Sequence, residues 1–77
     1  KAEGQKNGVP DLFLAVARHG YHGLFIEMKR DDGGVISPEQ KDFLAFADEQ
    51  GYRDQVCYGS QDAIKELEWY LSEHKTS

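Results

Sequence analysis

Gly23-Leu24-Phe25-Ile26-Glu27-Met28-Lys29 decides the fold. It is an apolar run that closes on an acid and a base, and it reads as one strand. Side chains alternate along a strand, so Glu27 and Lys29 share a face with Phe25, while Leu24, Ile26 and Met28 take the other. Upstream, Asp11 to Val16 is a nearly continuous apolar run that reads as a buried strand. Pro10 stands at its entry, where a missing N–H does little harm. Arg18-His19-Gly20-Tyr21-His22 lies between the runs and reads as a turn, which makes the pair an antiparallel hairpin. If the chain turns about His19-Gly20, opposed residues sum to about 39 and Asp11 falls opposite about residue 28. Asp11, Glu27 and Lys29 then converge, unless a bulge or a slipped turn moves the register.

Beyond this hairpin the signals are local. Arg30 to Gly34 is a charged, Gly-containing loop. Ser37-Pro38-Glu39-Gln40 is a helix start, with Ser at the N-cap, Pro in the first turn and Gln three after the cap. That helix runs to about Gln50 and stops at Gly51. Residues 53–58 form a third strand, and Gly59-Ser60 opens a second helix over roughly 61–74. The order is β-β-α-β-α, a mixed α/β pattern.

The chain has 77 residues and a mass of 8.7 kDa, so 1–77 is one domain or part of one. A single core of this size is marginally stable unless a staple or a partner helps. Cys57 is the lone cysteine and forms no staple; it reads as a small buried apolar residue in a reducing, intracellular and hence cytoplasmic setting. No apolar run reaches membrane-spanning length and no signal peptide is visible. The chain opens at Lys1-Ala2-Glu3-Gly4 without an initiator methionine, which reads as the middle of a sequence with residues upstream. The net charge is −5. Taken alone this disfavours a nucleic-acid partner, but a metal site needs acids and bound cations offset them.

Two carboxylates can hold a hard divalent cation through oxygen, and a lysine beside them can orient a water or steady a developing negative charge. That set suits hydrolysis of a phosphodiester. Gln40 lies on the inward stripe of the first helix with Phe43, Leu44 and Ala47. It can face the acids, or it can serve only as a capping-box glutamine, and one side chain cannot readily do both. Lys6, Arg30 and Lys41 flank the acids and are candidate phosphate contacts against a default of solvated side chains. His19 and His22 have a His-x-x-His spacing but lack further ligands, and read as solvated turn residues. In the second helix Ala63, Ile64, Leu67, Tyr70 and Leu71 form the buried stripe. Trp69 falls on the polar side, which suggests either contact with another chain, most simply in a two-fold homodimer, or cover by an N-terminal segment.

Gly8-Val9-Pro10-Asp11-Leu12, then Gly23 to Lys29, then Ser37-Pro38-Glu39-Gln40, closely resembles the VRR-NUC (virus-type replication–repair nuclease) family of the PD-(D/E)xK superfamily. The resemblance covers roughly Gly4 to Leu71, including Gly51-Tyr52. It implies a restriction-endonuclease-like mixed sheet and a nuclease that uses Mg²⁺ or Mn²⁺ to cut DNA. Phage members are compact stand-alone domains, and related domains sit inside repair nucleases that cut branched DNA such as four-way (Holliday) junctions. By that analogy Asp11, Glu27 and the main-chain carbonyl of Met28 bind the metal, Lys29 is the catalytic lysine, and Gln40 falls on the family's glutamine position. The family usually carries a glutamate-bearing helix and a first strand before the Gly-Val-Pro-Asp motif. Only ten residues precede Asp11 here, and Glu3 does not fill that role. A non-cleaving module that binds branched DNA or another protein is the alternative.

Overall fold

The computed structural model describes residues 8–72. Its elements are β1 (Leu12–Leu14), β2 (Leu24–Lys29), α1 (Pro38–Glu49), β3 (Arg53–Tyr58) and α2 (Ser60–Leu71). The strands form a mixed sheet in the order β1-β2-β3, with β2 antiparallel to β1 and parallel to β3. β2 is central because it is apolar on both sides, as a strand covered on both faces must be. On one face Leu24 and Ile26 join Cys57 of β3 and Ala63 and Tyr70 of α2 in the core. On the other, Phe25 meets the edge of Phe43 from α1. The expected α/β order β-β-α-β-α is therefore what forms.

β1 departs from expectation. It is three residues long, and Leu12 and Phe13 are about half exposed instead of buried. The reason is position: β1 is the sheet's edge, and α2 packs chiefly over β3 and β2. The hairpin also carries the anticipated irregularity. Arg18 bridges Tyr21, and the turn between them holds His19 and Gly20 at positive φ, as primed hairpin turns require. That pair sums to 18 + 21 = 39, whereas Leu12 pairs with Ile26, 12 + 26 = 38. One extra residue on the first arm is a bulge. Its consequence is favourable: extended by one residue, the register sets Asp11 opposite Glu27, on the same face.

α1 begins and ends as its sequence dictates. Ser37 Oγ accepts from Gln40 N at 3.1 Å, and Gln40 Oε1 accepts from Ser37 N at 2.8 Å, a complete capping box. At the other end Tyr52 N donates to Ala47 O and Gly51 N to Asp48 O, a Schellman closure. Gly51 sits at φ 91°, and a Cβ there would strike the His22 ring. In α2 the buried stripe is narrower than periodicity suggests. Ala63 and Tyr70 are buried and Leu67 partly so, but Ile64 and Leu71 are exposed, because among the described residues no element packs against that side. Cys57 is buried as expected, and burial pushes its thiol up to about 11.

Asp54 on β3 carries a testable cost. Its Oδ2 is buried without a partner among the described residues, and burial, then the negative charge of Asp48, raise its pKa. A carboxyl whose pKa is raised by folding binds its proton more tightly in the native state, so stability rises as pH falls through that raised value toward 3.8. Asp54→Asn is therefore expected to raise the melting temperature at pH 7, by about 1 kcal/mol of stability. The gain should vanish near pH 3.5, which a pair of thermal melts checks.

Candidate active site

The end of β2, the segment before β1 and the first turn of α1 meet on the α1 face of the sheet. Gly8 sets the approach: at φ 90° it lies so close to α1 that a Cβ would come within 2.5 Å of the Glu39 carbonyl. The chain then passes through Val9-Pro10 to Asp11, whose Oδ2 accepts from Met28 N at 2.8 Å. A main-chain bond to β2 thus fixes this exposed carboxylate beside Glu27.

Glu27 is 3 % exposed. Its Oε2 accepts from Gln40 Nε2 at 2.7 Å and lies 3.7 Å from Lys29 Nζ, while its Oε1 is buried with no partner among the described residues. Burial raises its pKa, the charge of Asp11 raises it further, and Lys29 opposes both. A buried acid beside a second acid is a site that gains from a positive charge. Lys29 Nζ also donates to Gln40 Oε1 at 3.1 Å, and its stem packs against Gly34.

Gln40 corrects a sequence expectation. Capping and site contact are not exclusive: the same Oε1 accepts from Ser37 N and from Lys29 Nζ, and Nε2 is left to reach Glu27. A carbonyl oxygen has two lone pairs and an amide nitrogen two hydrogens, so one glutamine serves helix end, acid and lysine at once.

The remaining candidates lie further out. Met28 places its side chain on the α2 face, and only its main chain belongs to the site. Arg30 is exposed and 3.5 Å from Asp32, an ion pair of little weight in water. Lys41 is exposed on α1. Lys6, like Glu3, lies outside the described residues. His19 and His22 are not free turn residues: His19 stacks on Trp69 at 4.1 Å, and the His22 ring meets Tyr52 edge-on at 5.5 Å. Trp69 is 43 % exposed, yet it is not isolated on a polar face, since the Arg53 guanidinium lies 4.7 Å from its ring centre. Arg53 is itself held by Glu66 at 2.9 Å. Tyr58, which sequence alone gives no reason to single out, pairs with Lys29 and so emerges on the site's face.

Among the described residues no group of three or more His, Cys, Asp or Glu could hold a metal. Two carboxylates nonetheless fit a small hard cation, because Mg²⁺ commonly takes one or two protein carboxylates and completes its shell with waters and substrate phosphate. The unpartnered Oε1 of Glu27 is a donor of the right kind.

The VRR-NUC domain model matches residues 1–61, more than half of the chain. The chain belongs to the VRR-NUC domain family. A solved structure described as a VRR_NUC domain protein superposes with a TM-score of 0.83 at 37 % identity, covering 88 % of this chain and 56 % of that one. The chain thus spans just over half the length of that VRR-NUC relative. No curated protein matches. VRR-NUC domains form part of a nuclease superfamily that generally uses divalent metals, and DNA is the partner such a domain implies. No helix among the described residues is long and apolar enough to cross a membrane.

Proposed function

We propose that this VRR-NUC domain is a metal-dependent endonuclease that hydrolyses DNA phosphodiesters, with branched DNA such as a four-way junction as its preferred substrate. The observation that carries the reading is the closed network Glu27–Gln40–Lys29, with Asp11 anchored beside it. Asp11 and Glu27 would hold Mg²⁺ or Mn²⁺, with the Met28 carbonyl as a third oxygen. When bound, such a cation polarises a phosphate and lowers the pKa of a coordinated water. The protein's own groups do the rest. Lys29 donates toward the attacking water or the phosphate oxygen as charge builds there. Gln40 fixes the rotamers of both Lys29 and Glu27, so neither must reorganise during reaction. Lys6, Arg30 and Lys41 supply phosphate contacts around the site, and their few charges on a chain of net charge −5 imply weak, salt-sensitive binding. The protein acts inside the cell, as a homodimer. Trp69 and the exposed Leu12, Ile64 and Leu71 are the surface available for that contact.

The test is cleavage of a labelled four-way junction. Cutting near the branch is expected with Mn²⁺ or Mg²⁺ and none with EDTA, and the matching linear duplex should be cut more slowly. An intact junction in either metal would remove the catalytic reading. The small number of acidic ligands among the described residues favours one second reading, a module that binds branched DNA without cutting it. Junction binding that weakens steeply with salt, in a protein that never cuts, would establish that alternative.

A further inference from the structure

We infer that Tyr58 is a stacking platform for an unpaired nucleobase next to the phosphodiester held at Lys29; this rests on the DNA-cleavage reading above. Residues paired across parallel strands point to the same face, and Tyr58 pairs with Lys29. Neighbouring strands lie about 4.8 Å apart, so the ring stands beside the lysine, within reach of one nucleotide.

The other tyrosines show why this one is different. Tyr70 is buried, with its hydroxyl on Val16 O. Tyr52 packs against Phe13 and Phe25. Tyr21 lies near Tyr70 and under Arg53. Tyr58 is 41 % exposed, and among the described residues its side chain has no ring, cation or hydrogen-bond partner. The other exposed aromatics, Phe13, Phe46 and Trp69, each rest on a ring of this chain.

The backbone under Tyr58 is held, which fixes where the ring emerges. Tyr58 N donates to Asp62 Oδ2 at 2.9 Å, and Gly59 N donates to Lys29 O at 2.9 Å. An aromatic ring stacks on any base whose face is open, without regard to sequence. In continuous duplex those faces are covered by neighbouring bases. At a branch, a fork or a mismatch they are not, and the cost of exposing one is smallest. Tyr58 thereby ties the chemistry at Lys29 to interrupted DNA, and gives structure selectivity a physical basis that phosphate contacts alone lack.

The test reads binding in the Lys29→Ala background, so that cutting does not intervene. Adding Tyr58→Ala is expected to weaken affinity for a forked DNA about five- to a hundredfold, the range that base–aromatic stacking supports. Affinity for the continuous duplex of the same sequence should stay within about twofold, since no open base face is lost. Tyr58→Phe and Tyr58→Trp should bind the fork like the parent. With Lys29 intact, Tyr58→Ala should raise KM on the fork and leave kcat nearly unchanged. Unchanged fork affinity, equal losses on fork and duplex, a Tyr58→Phe as weak as Tyr58→Ala, or no fork binding at all would each overturn the assignment. A parent that never cuts, yet loses fork affinity on Tyr58→Ala, would sink the nuclease reading and keep the platform.

Discussion

Lys29→Ala is expected to slow junction cleavage by about 10²- to 10⁴-fold, the range seen when a positioned acid–base or charge-stabilising group is lost. The change removes the ammonium group beside the acids, and with it a hydrogen bond to Gln40 and the ion pair to Glu27. Lys29→Arg should not rescue, because a planar guanidinium cannot replace a compact charge in the gap between Gln40 and Gly34. Asp11→Ala and Glu27→Ala should be as inactive, each removing a proposed metal oxygen. Gln40→Ala should cost less, about 10- to 100-fold, because glutamine acts through the groups it orients. Circular dichroism should show the four alanine variants folded, since the cluster of Leu24, Ile26, Cys57, Ala63 and Tyr70 gathers on the opposite face of the sheet. Full activity in purified Lys29→Ala would refute its role.

Which parts of this site could be read in advance follows from the range of the interactions. The strand Leu24–Lys29, the capping box at Ser37–Gln40 and the stop at Gly51 rest on residues within a few positions of each other, and all form as their sequence requires. The convergence of Asp11 with Glu27 and Lys29 followed from hairpin symmetry, but its register did not. The extra residue between Leu14 and Arg18 answers to pairing with β2 and to Tyr70, whose hydroxyl reaches Val16 across 54 positions. Gln40 looked like a choice between two duties because a linear sequence cannot show that Ser37 N, Lys29 Nζ and Glu27 Oε2 lie within one amide's span. Trp69 looked unpartnered because Arg53 and His19 reach it from a strand and a turn remote in sequence. Tyr58 gave no signal at all, since an aromatic at a strand end is ordinary strand composition. Its meaning comes only from the parallel pairing that sets it beside Lys29.

Tyr70→Ala is expected to cost about 3–5 kcal/mol, the toll of truncating a large buried aromatic. Tyr70 is 0 % exposed and sits among Leu24, Ile26, Cys57 and Ala63, so its removal empties the middle of the core that joins α2 to the sheet. It also frees the Val16 carbonyl, bound at 2.7 Å, and with it the first arm of the hairpin. A domain of this size holds only about 5–15 kcal/mol in all, so most of the margin goes. The melting temperature should fall by more than about 10 °C, because each kcal/mol moves it about 4–8 °C in domains this small. Tyr70→Phe separates the two contributions: it keeps the packing and loses only the hydrogen bond, for about 1 kcal/mol. The site lies on the other face of the sheet, so a stabilised or chilled Tyr70→Ala should cut with near-normal kcat per folded molecule. A Tyr70→Ala that melts within 2 °C of the parent, on the order of a few tenths of a kcal/mol, would mean that α2 is not what closes this core.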